Sequence, residues 1–306
     1  MIFYLYFTHD VATIEHILSN AKMIYGGYTV CALEGEVEFL NRLYLAPAKP
    51  ILIAEEDIYV HRERHSEQID EEELNATPEP MDDRNRDVAY NEDLDHLKKM
   101  NIAFKTLQVL GQVLRNFPNV LRAGLKTRVA QECYSLGLRV LSALLAISEA
   151  NVETLREYLA TLLKEQRRIE LDSELASDTD TFMIRVITGC TYSIIRRVSG
   201  AVGSEELAET YRNVLRSEEA KRSVAFIDLS IKLDHFQAFP MNEIEQIYKY
   251  VEKNRFNRFC YGILRELVVN RLVQEDVGHE DRRRVGHLLL VDIGEITEGI
   301  KFLKST

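Results

Sequence analysis

The sequence predicts an all-α protein in which antiparallel helical hairpins are stacked as an irregular helical-repeat array. The 306 residues include only 6 Pro and 14 Gly, which are few for this length. Long stretches carry apolar residues at intervals of three and four, separated by short polar breaks. Short connections favour antiparallel neighbours, and no repeat of fixed period is visible, so we expect stacked hairpins of unequal length.

The N-terminal part, residues 1–60, is predicted to form a helical lobe that continues a longer upstream repeat region. Its opening run, MIFYLYFTHD, is too short for a membrane span and lacks the basic flank of a signal peptide. We expect a helix with Asp10 as its N-cap, ending before Gly26-Gly27, and a second apolar stripe over 37–44.

Residues 92–306 are predicted to form the main helical domain. Its most apolar stretch, 179–199, is the predicted central helix. The motif that begins at Ser204 resembles a capping box, and residues 285–293 fit either a helix or a short strand. The other predicted helices cover 94–116, 119–148, 152–171, 219–234, 241–253 and 255–274.

Charge is distributed very unevenly along the chain. Residues 55–95 hold 16 acidic side chains against 4 Arg, whereas the other 265 residues hold 33 acidic and 34 basic ones. High charge and few large apolar side chains predict a flexible acidic linker over residues 61–91. The rest of the chain has no basic surplus, so we expect its Arg clusters at 164–168, 196–197 and 282–284 to be solvated or ion-paired rather than bound to nucleic acid.

Sites for metals and nucleotides are not predicted. The four Cys are spread singly and indicate buried free thiols in a reducing compartment such as the cytoplasm. His61 and His65 have a spacing that binds zinc, but Arg62 and Arg64 beside them favour a solvated charged helix. The segment Gly124–Thr127 lacks the Gly directly before Lys126, and Asn119 stands where a phosphate loop has its first Gly, so no ATP binding and no cofactor are expected.

One pair of residues suggests an enzyme. Arg282 and His287 match the R-x-x-x-x-H spacing of some helical ribonucleases, in which Arg binds phosphate and His moves a proton. With this many Arg and His in the chain, one match is expected by chance, so the ribonuclease is the alternative interpretation.

The segment from Asp234 to Pro240 is the most unusual in composition. It places two acid–base groups next to two aromatic rings, between two amphipathic helices. One interpretation is an exposed ligand-contact loop or an Asp–His pair. The other is a helix end whose rings fill the core, with Asn242 capping the next helix. The candidate contact residues are Asp234, His235, Phe236, Phe239 and Pro240.

Several stretches together resemble the C-terminal helical region of bacterial STAND NTPases, which are NOD-like signalling ATPases, many of them antiviral. The stretches include residues 3–26, NIAFKTLQVLGQVLRNF at 101–117, ECYSLGLRVLSALL at 132–145 and IDLSIKLDHFQAFPMNEI at 227–244. The likeness extends over about residues 1–275 and carries no nucleotide motif.

The resemblance implies a non-enzymatic recognition or regulatory region. Its expected partner is a protein ligand, such as a phage protein, or the NTPase domain of the same parent, which would itself be able to oligomerise. Membrane and nucleic-acid partners are not expected. A stand-alone helical scaffold that binds peptides is a further alternative.

Limited proteolysis tests the predicted linker. Its apolar content is too low to offset the entropy lost on ordering, so the first cuts are expected between about Arg64 and Asn91. Initial cleavage within residues 100–275, mapped by mass spectrometry, would contradict this division of the chain.

Overall fold

The structure, a computed structural model, describes residues 11–43, 96–116, 121–167, 172–214, 220–253, 257–274 and 277–291, without the side chains of 162–167 and 172–178. All regular elements in these ranges are helical, so the all-α prediction is confirmed. The predicted linker 61–91, the apolar opening residues, His61 and His65 lie outside the described residues. The division into 1–60 and 92–306 therefore stays a prediction.

Eleven α-helices pack mainly as antiparallel neighbours within the described ranges. Two short 3-10 turns, Gly35–Val37 and Glu205–Leu207, each lead into a short α-helix. The helices are α1 Val11–Met23, α2 Glu38–Leu43, α3 His96–Asn116, α4 Ala123–Ala150, α5 Val152–Arg167, α6 Asp172–Val202, α7 Ala208–Arg212, α8 Lys221–His235, α9 Met241–Lys253, α10 Arg258–Gln274 and α11 His279–Leu289.

The predicted central helix is central in the structure. Helix α6 contacts α2, α3, α4, α5, α8 and α10. Its C-terminal half approaches two neighbours closely at glycines. A Cβ atom on Gly111 of α3 would lie 2.3 Å from the carbonyl oxygen of Ala201, and one on Gly137 of α4 would lie 2.2 Å from Val198. Both positions therefore need a residue without a side chain.

Two local predictions need correction or completion. Ser204 precedes only a 3-10 turn and the five-residue helix α7, and its side chain makes no capping hydrogen bond. The capping box is therefore absent, because the 3-10 turn leads into α7 in place of a regular first helical turn. Residues 285–289 belong to helix α11, which ends where Leu290 adopts a left-handed conformation with φ of 49°.

Residues 11–43 share one hydrophobic core with the helices that follow residue 96. Helix α1 packs on α3 and α4. The loop after it crosses the core surface with its backbone groups paired: the Cys31 amide donates to the Leu138 carbonyl at 3.3 Å, and the Ser223 hydroxyl donates to the Cys31 carbonyl at 2.6 Å. These bonds satisfy backbone groups that burial removes from water.

Asn257 links the N-terminal segment to α10. Its side-chain oxygen accepts a hydrogen bond from the Cys260 amide at 3.0 Å, as an N-cap residue does, and its side-chain nitrogen donates to the buried Leu33 carbonyl at 3.0 Å. Asn41 adds two further bonds. Its side-chain nitrogen donates to the side-chain oxygen of Asn257 at 3.1 Å, and its side-chain oxygen accepts from the Phe259 backbone amide at 2.9 Å. One buried side chain therefore holds two distant parts of the chain together.

One helix within the described ranges, Ala123–Ala150, is long and apolar enough to cross a membrane by length and composition. In this structure 67% of the most apolar 18-residue stretch of that helix is buried inside the protein, as in the core helix of a globular domain.

Replacing Asn257 is expected to destabilise the protein. The change Asn257→Ala removes a helix cap and leaves the Leu33 carbonyl buried without its donor, for a loss of about 2–4 kcal/mol in the free energy of unfolding. Denaturant melts measure it. The matched control is Asn213→Ala, which removes an exposed bond to the Glu209 carbonyl and is expected to cost about 0.5 kcal/mol or less. Equal losses for the two variants would contradict the linking role of Asn257.

Candidate functional site: the turn between α8 and α9

The turn formed by residues 236–240 is set by the end of one helix and the start of the next. Phe236 is extended, with φ of −109° and ψ of 143°, so α8 ends at His235. The Ile244 amide donates to the Pro240 carbonyl at 3.1 Å, so the hydrogen bonds of α9 begin at Pro240. Asn242 is exposed in the first turn of α9. The prediction that Asn242 caps this helix is therefore wrong, because the helix begins one residue earlier.

The two aromatic rings of the turn are half-buried. Phe236 and Phe239 pack against the hydrophobic core with one side and reach the surface with the other. Pro240, which follows Phe239 and directly precedes α9, is buried. The interpretation as a helix end whose rings fill the core describes the inner side of these rings. The interpretation as an exposed ligand-contact loop describes their outer side.

Asp234 does not pair with His235. The Arg196 guanidinium of α6 donates to the Asp234 carboxylate, and the Ser199 hydroxyl lies 3.4 Å from its other oxygen. Ser230 donates to Ser199 at 2.8 Å and extends this polar contact between α6 and α8. Asp234 therefore fixes α8 on α6, which is a structural role.

The imidazole of His235 is also turned inward. It packs against Gly203 at the end of α6, where an added Cβ would lie 2.2 Å from the ring. Three of the five predicted contact residues, Phe236, Phe239 and Pro240, line a cleft at the surface. The other two face α6: Asp234 bonds to Arg196, and His235 packs on Gly203 directly after the helix.

A cleft of about 520 Å³ opens beside the turn. Helices α7, α8, α9 and α11 form its walls, and we call it the turn cleft. Its apolar lining includes Ala208, Ile231, Phe236, Ala238, Phe239, Pro240 and Met241, and its polar lining includes Tyr211, Arg212, Asp228, Lys232, Asn242, Glu243, Asp281 and Arg284. A smaller cleft of about 200 Å³ lies against Phe236 and Phe239 on the side of Arg271 and Val277.

The charges in the turn cleft are balanced, with three cationic and three acidic side chains in its lining. Several are held in place: Lys232 of α8 pairs with Glu243 of α9, and Arg284 of α11 pairs with Glu245 of α9 at 2.6 Å. The Tyr134 hydroxyl donates to Asp228 at 2.8 Å. The walls are thereby oriented before any ligand arrives, which lowers the entropy cost of binding.

Tyr211 contributes a buried hydroxyl to the lining of the cleft. It donates to the Val202 carbonyl at 2.7 Å and accepts from the Ser204 amide at 2.9 Å. Burial raises the pKa of Tyr211 above its ordinary value, so this phenol stays neutral at physiological pH. The side chain is a fixed hydrogen-bonding wall of the cleft.

The residues of the ribonuclease interpretation lie on α11 without converging. Five helical steps separate Arg282 from His287, so their side chains leave the axis about 140° apart. His287 is exposed and lines a shallow cleft of about 550 Å³ together with Glu245, Glu280, Arg283 and Arg284. The lining of that cleft does not include Arg282.

The other sequence candidates are placed as follows. Gly124–Thr127 forms the first turn of α4, where the Thr127 hydroxyl donates to the Ala123 carbonyl at 3.1 Å. Arg196 is ion-paired, and the Arg197 guanidinium lies 4.6 Å from the centre of the Phe104 ring. No group of three or more His, Cys, Asp or Glu side chains in the described ranges is arranged to hold a metal ion.

Cysteine burial differs from the prediction at one position. Cys31, Cys133 and Cys260 are buried free thiols, and burial raises the pKa of Cys260 to about 12. Cys190 is exposed on α6. The assumption that every Cys is buried is wrong for Cys190, because it lies on the one face of α6 that no described helix covers.

The chain matches no protein-family model, and neither a curated protein nor a solved structure is significantly similar to it.

Both rings of the turn are expected to contribute moderately to stability. Because each is half-buried, Phe236→Ala and Phe239→Ala are expected to cost about 1.5–2.5 kcal/mol each, roughly half the loss for a fully buried Phe. Thermal and denaturant melts measure this. The control Tyr158→Ala, at a side chain that is 62% exposed on α5, is expected to be near neutral. Neutral melts for both Phe variants would show that the rings do not pack on the core.

Proposed function

We propose that this chain is a non-catalytic recognition region that binds a protein ligand in the turn cleft. The observation that carries the proposal is the composition of the cleft. Two half-buried aromatic rings lie among equal numbers of positive and negative side chains. Exposed sides of aromatic rings are typical anchors for protein partners, and a polar rim around them gives specificity.

The charge balance favours a protein over a nucleic acid as the ligand. Phosphate backbones are bound by a surplus of Lys and Arg, whereas the three cations of this cleft are matched by three carboxylates. Lys232 and Arg284 are also engaged in ion pairs with α9. A peptide with an apolar anchor and charges of both signs complements this surface.

The parent system we propose is a STAND-type signalling or antiviral defence ATPase of the bacterial cytoplasm. The support is the likeness of the helical stretches described above, and the absence of a phosphate loop from this sequence agrees with a sensor region. The ligand is then a foreign protein, such as a phage protein, or the ATPase core of the parent. A phosphate loop encoded upstream in the same reading frame would support this assignment.

Selection from a displayed peptide library tests binding in the cleft. Peptides selected on the wild-type protein are expected to lose at least tenfold in affinity, ~1.4 kcal/mol, for Ala238→Trp, because an exposed small residue of the lining is replaced by a bulky one. The control Gln246→Trp adds the same ring at an exposed position of α9 and is expected to bind normally.

Thermal melts check that both Trp variants fold. Both are expected to be folded because each substituted position is exposed. Equal binding by Ala238→Trp and the wild type, or a selection that enriches no peptide, would contradict the proposal.

A further inference from the structure

Helix α11 is docked on the rest of the protein by little apolar burial. Val285 and Leu289 are its two buried side chains among eleven residues, whereas the thirteen-residue α9 beside it buries four. Its main neighbour among the described helices is α9. Most helices in proteins are stabilised by the packing of an apolar face, so this limited burial predicts a weakly docked helix.

Two polar contacts of α11 differ in strength. The Arg284 guanidinium lies 2.6 Å from the Glu245 carboxylate of α9, but these side chains are 45% and 33% exposed, and solvent screens an ion pair of this kind. The buried Tyr261 hydroxyl of α10 donates to the Leu289 carbonyl at 2.7 Å. The ion pair therefore contributes little to holding the middle of the helix, and the buried bond fixes its last turn.

Open clefts border α11 on two sides. Glu280 and His287 line the shallow cleft of about 550 Å³ between α11 and α9. Asp281 lines both the turn cleft and the smaller cleft of about 200 Å³. Protein interiors are close-packed and contain few voids. A helix bordered by clefts loses fewer contacts when it separates from its neighbours than an enclosed helix does.

We propose that α11 is a strap across the turn cleft. In the free protein it opens as a unit while the other helices stay folded, and a peptide in the cleft holds it closed. Proteins open locally in such cooperative units, and the least packed elements open at the lowest free energy. The closed form is the one in which the ion pair of Arg284 orients the wall of the cleft.

The link between the strap and the ligand is the shared wall. Asp281 and Arg284 of α11 both line the turn cleft, so a peptide that contacts them loses those contacts when α11 opens. A ligand that binds the closed form more tightly lowers the open fraction. Opening of α11 then controls release of the peptide, as lid opening does in other proteins.

The two parts of this inference depend on different observations. The opening of α11 in the free protein follows from its weak docking and is tested without a ligand. The closing by a peptide rests on the proposed function, because it takes the turn cleft as the ligand site.

Hydrogen exchange of the full chain without ligand, followed by mass spectrometry, tests the opening. The amides of α11 are expected to exchange at least about 100-fold faster than the slowest amides of the central helix α6. Exchange of α11 as slow as that of α6 would overturn the proposal.

A pair of variants separates local from global opening. Ile195→Val removes one methylene from a side chain of α6 that is 1% exposed and is expected to speed exchange of the slowest α6 amides by about threefold or more. It is expected to leave α11 unchanged, because α6 stays folded when α11 opens. The matched change Val285→Ala within α11 is expected to speed exchange in both helices, since its contacts are lost in either opening. Equal acceleration of α6 and α11 by Ile195→Val would show that α11 opens only when the whole protein unfolds.

A peptide selected on the wild-type chain from the displayed library tests the closing. At saturation it is expected to slow exchange of α11 at least tenfold in the wild type, and to have no effect on Ala238→Trp, which it does not bind. A peptide that binds the wild type but leaves α11 exchange unchanged overturns the strap and leaves recognition in the cleft standing. A selection that enriches no peptide overturns the recognition proposal and with it the closing of the strap by a ligand.

Discussion

The N-terminal part of the fold depends on the hydrogen bonds and the ion pair made by one buried arginine of α4. Arg139 donates to the Ala21 carbonyl at 2.8 Å and to the Ile24 carbonyl at 3.2 Å, at the C-terminal end of α1, and pairs with Glu132 at 2.8 Å. Helix ends leave carbonyls without donors and favour a positive charge. Both charged side chains are about nine-tenths buried, so removing either partner would leave an uncompensated charge in the core. Helix α1 can therefore dock only where Arg139 meets it.

The docking of α1 also sets the position of the loop that follows it. The loop after α1 is bound in turn by α4, α8 and α10, through Leu138, Ser223 and Asn257. Helix α8 is fixed on α6 through Asp234 and Arg196, and the turn that follows it forms one wall of the proposed ligand cleft. The proposed recognition surface is thus positioned by polar contacts in and beside the core, while the outer sides of its half-buried rings and its balanced charges face the cleft.

Helical periodicity was sufficient to predict the fold class, most helix positions and the central helix α6, because each long helix buries one apolar face. It failed where a polar side chain decides the local structure. Ser204 has the spacing of a capping box, but a 3-10 turn takes its place. The spacing of Glu132 and Arg139, seven residues apart in an apolar helix, was an available signal for a buried ion pair. The bonds of Asn257 to Leu33 and Asn41 join residues more than 200 positions apart, which no local pattern contains. Similarly, the composition of the Asp234–Pro240 segment predicted a candidate site, but only the packing separates the inward side chains of Asp234 and His235 from the two rings that reach the surface.

Site-specific photo-crosslinking tests the central claim, recognition in the turn cleft, most directly. A benzophenone amino acid is placed at Ala238 in the cleft lining or, as a control, at Tyr158 on α5, and each protein is irradiated with a peptide selected on the wild type. The account predicts an adduct from position 238 that excess unlabelled peptide abolishes, and none from position 158. An adduct from position 158, or none from position 238 while binding persists, would contradict it.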